Sequence, residues 1–106
     1  MNNVVQVTDQ TFADTINYNN IVVIDYYANW CGPCKAYSPI FDKIAKEFLG
    51  RAVFGKVNTD EFSFMNEHGV RSLPTTVIVK NRQVVEKISG IVTEQELRNT
   101  ITKHVS

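Results

Sequence analysis

Cys31 and Cys34 are the only two cysteines of the chain, separated by Gly32 and Pro33. Three chemistries are open to such a pair. As a structural staple it would close a loop of four residues, for which lost chain entropy supplies only about 2 kcal/mol, against about 4.7 for a hundred-residue loop. As a zinc half-site it would need two more ligands. The remaining candidates, His68 and His104, fall on different predicted helices with no ligand spacing, and each reads as a surface histidine favoured near a helix C-terminus. No metal site is expected. The third chemistry, thiol–disulfide exchange, fits best. At i, i+3 on a helix the two sulfurs share a face, so a disulfide can form and break with little backbone movement.

The position of the pair supports that choice. It follows an apolar run and opens a predicted helix, so Cys31 sits at or just before the first turn. Unpaired backbone N–H groups there favour a thiolate, the form that attacks disulfides. Pro33 suits the first turn, where a missing N–H costs nothing. Cys34 lies deeper and is expected to be less exposed. Cys31 would attack a substrate disulfide, and Cys34 would displace the substrate from the mixed disulfide. Asp25, six residues upstream of Cys31, interrupts the most apolar stretch of the chain. A carboxylate in a strand buried on both faces is costly to ionise, so its pKa should rise. The plainer alternative is an aspartate near the strand's end that reaches water.

These residues must be positioned by strands and helices that the pattern also predicts. Val4–Val7 is a short strand. Thr8 or Asp9 caps a helix with Phe12, Ala13 and Ile16 on one side, ending around Asn19 and Asn20. Ile21–Tyr27 is a central strand. Phe41, Ile44, Ala45 and Phe48 give the stripe of the helix that the cysteines open, and Gly50 stops it. Val53–Val57 is a strand. Asn58 and Glu61 have capping-box spacing before a short helix that ends at Gly69. Thr76–Lys80 and Val84–Ser89 form a hairpin around Asn81 and Arg82. Thr93 and Glu96 form a second capping box, opening a helix that buries Leu97, Ile101 and Val105. The order βαβαβαββα implies an α/β fold with parallel strands joined by right-handed crossovers, plus an antiparallel pair from the hairpin.

The chain has 106 residues with no internal repeat or linker, so one domain spanning 1–106 is expected. A chain of this size buries somewhat over ~60% of its unfolded surface and needs no metal or disulfide merely to stay folded. Eleven basic and eleven acidic residues leave a formal net charge of zero, and no basic stripe is visible, so nucleic acid is not an expected partner. No apolar stretch approaches the length of a membrane span. The N-terminus, MNNVVQVTDQ, lacks the charged and apolar regions of a signal peptide. A monomeric cytoplasmic protein is expected, in a compartment that keeps thiols reduced.

WCGPCK at Trp30–Lys35, with IDYYA upstream, resembles the thioredoxin family, and the similarity runs through essentially the whole chain: Pro39, Asp60, SLPT at Ser72–Thr75, and Ser89 with Gly90. Cys-x-x-Cys alone is a weak signal; with these distant markers it is specific. The resemblance implies a mixed five-stranded sheet flanked by four helices and protein-disulfide reductase activity. It also implies re-reduction by an NADPH-dependent thioredoxin reductase, with disulfide-containing proteins as partners and no bound cofactor. It makes Asp25 the proton acceptor for Cys34 and Lys56 the lysine that accompanies it, although Lys56 also fits a merely solubilising strand lysine. It makes Pro74 cis and opposite the cysteines, with Leu73 offering backbone groups to an extended substrate segment. Trp30, Gly32, Pro33, Gly90 and Ile91 are expected to complete a shallow apolar rim for a partner chain.

The chain departs from the family pattern at several positions. Tyr27 stands where tryptophan or phenylalanine is common, and Asn29 where an acidic residue is frequent. Ser89 replaces a commonly apolar rim residue. Arg82 stands where glycine is usual; a positive φ there would add strain of order 1 kcal/mol, unless the turn takes another geometry. Two other functions remain open: a disulfide oxidant or isomerase on the same fold, and a binding subunit with idle cysteines. Gly-Pro between the cysteines, in place of a pair containing histidine, speaks against the first.

Overall fold

The computed structural model describes residues 3–63 and 68–105. In chain order it contains β1 (Val4–Gln6), α1 (Phe12–Asn17), β2 (Ile21–Tyr27), α2 (Gly32–Glu47), β3 (Val53–Asn58), a 3-10 turn (Thr59–Glu61), β4 (Thr75–Lys80), β5 (Gln83–Ser89) and α3 (Glu94–Thr102). The five strands form one sheet in the order β1-β3-β2-β4-β5. β2 lies at its centre and is buried along six of its seven residues, as its unbroken apolar run demands.

β1 and β2 both pair parallel with β3, while β4 runs antiparallel to β2 and to β5. Alternation of strands and helices predicted parallel pairing, and the turn residues predicted the hairpin, but neither gave which strands pair nor the reversal between β2 and β4. That rule holds for strand–helix–strand crossovers, and the described chain between β3 and β4 contains only the 3-10 turn. Residues 64–67, the middle of the predicted short helix, lie outside the described residues. Asn58 caps the turn by accepting from Asp60 N–H at 3.1 Å. Three α-helices are therefore described, where four helices were expected.

Alternation along β2 sorts the core into two layers. Val22, Ile24 and Tyr26 point one way, packing with Val57, Val77, Val79 and Phe62, and with Phe12 and Ile16 of α1. Ile21 and Val23 point the other way, packing with Phe54 and Ile78 beneath α2 and α3. The predicted stripe of α2 (Phe41, Ile44, Ala45, Phe48) and the pair Leu97 and Ile101 of α3 are all buried in this second layer, with Val105 packed at its margin. β3 carries Gly55, where an added Cβ would stand 2.7 Å from Val7 Cγ2; the close pairing of β1 leaves no room for a side chain.

Both ends of α1 differ from the sequence expectation, and each of the strands β1, β3, β4 and β5 shifts by one residue at one end. α1 starts at Phe12, after a turn in which Thr11 and Phe12 N–H bond to Thr8 C=O, and it ends at Asn17. Asp9 instead accepts from Ser63 N–H and Oγ–H, at 2.8 and 2.7 Å, tying the two loops together. Ala13 faces solvent; in so short a helix the apolar side narrows to Phe12 and Ile16. The Thr93 capping box forms as predicted, with both reciprocal hydrogen bonds present.

Candidate active site

The same alternation that sorts the core places the polar residues. Gln6, Lys56, Asp25 and Thr76 are register partners in a row across β1, β3, β2 and β4. Each lies two residues from a member of the second layer (Val4, Phe54, Val23, Ile78), so all four face α2. Asp25 is 1% exposed, and its Oδ1 has no hydrogen-bond partner among the described residues. Beside it opens a cavity of about 350 Å³, whose walls include Cys34, Ser38, Lys56, Gln6 and Tyr27. The expected buried carboxylate and its neighbouring lysine are thus brought together with Cys34.

Burial pushes the Asp25 carboxyl up to about 7; Lys56 opposes this and Asp42 adds to it. Lys56 does not lie free on the strand. Its ammonium donates to Ser38 Oγ at 2.6 Å and forms an ion pair with Asp42 Oδ1 at 3.0 Å, short of hydrogen-bond geometry. On the far side Tyr37 and Thr76 share a hydrogen bond of 2.7 Å, and burial holds the Tyr37 phenol well above its ordinary value.

Cys31 is the N-cap of α2, with extended backbone, and Gly32 and Pro33 open the helix. Its Sγ accepts from the Cys34 N–H at 3.2 Å, an otherwise unpaired donor of the first turn. Cys31 and Cys34 are joined by a disulfide, with Cα atoms 5.3 Å apart. Cys31 is the more exposed of the two, but narrowly, at 5% against 3%. Gly32 and Pro33 beside it face solvent. Trp30 is 71% exposed and is held by its Nε1–H on Asp60 Oδ2 at 3.0 Å.

The Leu73–Pro74 peptide is cis. Leu73 packs against the cluster of Ala28, Cys31 and Cys34. Pro74 C=O accepts from Gly90 N–H at 2.8 Å, which sets Gly90 beside the same loop; its φ of +87° suits glycine. Ile91 follows and is half exposed. Thr75 Oγ–H closes the SLPT loop onto Ser72 C=O at 2.6 Å.

Both histidines stand elsewhere, and neither is the surface residue expected. His68 is half-buried, its Nδ1 2.5 Å from Tyr26 Oη, and its ring packs on Phe12. His104 is half-buried in a 2.8 Å pair with Glu86. Ser38 and Asp42 were not singled out from sequence. The signal was present, since 34, 38 and 42 are successive i, i+4 positions on one face of α2.

The Cys-x-x-Cys disulfide thus lies at a helix N-terminus, beside the cavity of a buried carboxylate and against a cis-proline loop. The thioredoxin family model matches residues 3–103. The chain belongs to the thioredoxin family. Thioredoxin 1 of Nostoc sp. is 39% identical over 102 residues, covering 94% of this chain and 95% of its own length. Thioredoxin 1 of Synechococcus elongatus is 41% identical, covering 93% and 94%. Among solved structures, the thioredoxin of Malassezia sympodialis has a TM-score of 0.88 at 34% identity, over 98% of this chain and 92% of that one. A mutant thioredoxin of Halobacterium salinarum has a TM-score of 0.89 at 30% identity, covering 97% and 91%. The thioredoxin fold and, at the family level, protein-disulfide reduction by a redox-active disulfide are therefore features of this chain.

Proposed function

We propose that this thioredoxin is a general protein-disulfide reductase in which Cys31 is the nucleophile, Cys34 the resolving thiol and Asp25 the proton acceptor. The Cys31 thiolate attacks one sulfur of a substrate disulfide; a Cys31–substrate disulfide forms and the other substrate sulfur leaves as a thiolate. Cys34 gives its proton to Asp25 and attacks Cys31 Sγ. The intramolecular disulfide forms, the second substrate sulfur leaves, and two electrons have passed to the substrate. An NADPH-dependent thioredoxin reductase restores the dithiol.

One observation carries this reading: the Cys34 N–H directed at Cys31 Sγ. A donor there stabilises negative charge on the first sulfur and not on the second. The cavity shared by Asp25 and Cys34 supports the proton transfer, since a carboxyl near 7 accepts and returns protons at working pH. Trp30, Gly32, Pro33, Leu73, Pro74, Gly90 and Ile91 form the partner surface. An exposed indole and an exposed isoleucine offer apolar contact, and the Leu73 backbone offers strand-like pairing. We place this chemistry in a monomer in a reducing cytoplasm, where the dithiol form is maintained.

The test is insulin-disulfide reduction driven by NADPH and a thioredoxin reductase. The intact protein should turn over and Cys31→Ser should not. Cys34→Ser should accumulate partners linked through Cys31. Partners captured on Cys34 in Cys31→Ser, with none captured on Cys31 in Cys34→Ser, would reverse the assignment. Full cellular function retained by the double serine variant would favour a binding subunit.

A further inference from the structure

We infer that Ser38 and Asp42 are positioning residues that hold the Lys56 ammonium on the helix side of the cavity and thereby set the protonation of Asp25. The inference rests on the assignment of Asp25 as the proton acceptor only for its consequence in catalysis; the positioning itself stands on geometry. Lys56 and Asp25 are register partners on adjacent strands with side chains on the same face. A lysine so placed is the natural counter-ion of the carboxylate. Yet the ammonium donates to Ser38 Oγ at 2.6 Å and pairs with Asp42 Oδ1 at 3.0 Å, while Asp25 Oδ1 has no hydrogen-bond partner among the described residues.

Ser38 and Asp42 stand four and eight residues beyond Cys34, so a single face of α2 presents the resolving sulfur, the hydroxyl tether and the acidic tether in line. The charged and titratable groups around Asp25 come from each packed element: Lys56 from β3, Tyr27 from the end of β2, and Cys34, Lys35, Tyr37 and Asp42 from α2. β1 and β4 contribute the neutral Gln6 and Thr76. Lys56 and Lys35 are the cations of this group, and Lys56 is the one that the two tethers engage. Lys56 opposes the burial of Asp25 from this tethered position; released, it would move toward the carboxylate and favour the ionised form further.

The experiment follows the Asp25 carboxyl by carbon-13 NMR across pH in the oxidised protein, where neither cysteine titrates. Asp42→Asn and Ser38→Ala are each compared in the native background and with Lys56→Met. In the native background both should lower the Asp25 midpoint, Asp42→Asn by roughly half a pH unit or more; with Lys56→Met the Ser38→Ala effect should largely vanish and the Asp42→Asn effect should shrink to the part that its own charge supplies. Ser38→Ala is the sharper case, because a neutral hydroxyl has no charge of its own to remove. Equal shifts with and without Lys56 would mean that Asp42 acts by its own field and would overturn the inference, as would an unchanged midpoint in both variants. Failure of the Cys34 assignment appears separately: the pH profile of mixed-disulfide resolution would be the same in Asp25→Asn as in the intact protein, while the titration cycle still showed coupling.

Discussion

Asp25 ionises from an ordinary value of 3.8 in the open chain and at about 7 in the folded one, and the sign of its effect on stability follows. Below about pH 4 both states hold the proton. Between about 4 and 7 the unfolded chain releases a proton that the folded chain keeps, so stability falls as pH rises, and above about 7 the loss levels off. The full loss is on the order of 4 kcal/mol. Asp9 and Glu96, each lowered chiefly by a backbone hydrogen bond, and Glu47, lowered by its bond to Arg98, act with the opposite sign at lower pH. Comparison with Asp25→Asn therefore isolates the buried group. Urea unfolding should show the asparagine variant gaining several kcal/mol over the intact protein between pH 4 and pH 8; a difference unchanged across that range would contradict the buried-carboxyl account. The same variant should slow mixed-disulfide resolution most near neutral pH.

The β4–β5 hairpin shows a local cost borne by one element. Lys80 pairs with Gln83, leaving a two-residue turn in which Asn81 has φ 51° and Arg82 φ 69°. Two consecutive positive φ values are the mark of a type I′ turn, and arginine is poorly suited to the second position. The open question about Arg82 is thus settled on the side of strain. Arg82→Gly should stabilise the protein by roughly 0.5–1 kcal/mol, the left-handed penalty less the added freedom of glycine in the unfolded chain. Thermal unfolding measures it. Insulin reduction should not change, because the turn lies at the Ile21 end of β2 and the cysteines follow the other end. A lower melting temperature would show that the arginine makes a compensating contact.

At the scale of the molecule, the two core layers are filled by aliphatic and aromatic side chains without the cysteines, which form a small cluster of their own with Ala28. Reduction of the disulfide should therefore leave the fold intact and lower its stability by only about 2 kcal/mol, the value for so short a loop. Circular dichroism and urea unfolding with and without reductant check this; loss of the sheet signal on reduction would assign the pair a structural role. Much of this architecture was legible in the chain. The i, i+3, i+4 stripe of α2, the apolar run of β2 and the Thr93 capping box are patterns written by neighbours along the sequence, and the helix that Cys31 caps follows from the same local rules. The order of strands, the reversal at β4, the burial of His68 against Tyr26 and the tethering of Lys56 join residues far apart in sequence, where no periodicity reports which surfaces meet. The sequence alone determined which atoms can exchange electrons, because thiol chemistry and helix-end polarity are local. Only the tertiary structure decided how the proton is managed, because the field at Asp25 is the sum of charges and desolvation that packing brings together from separate strands and α2.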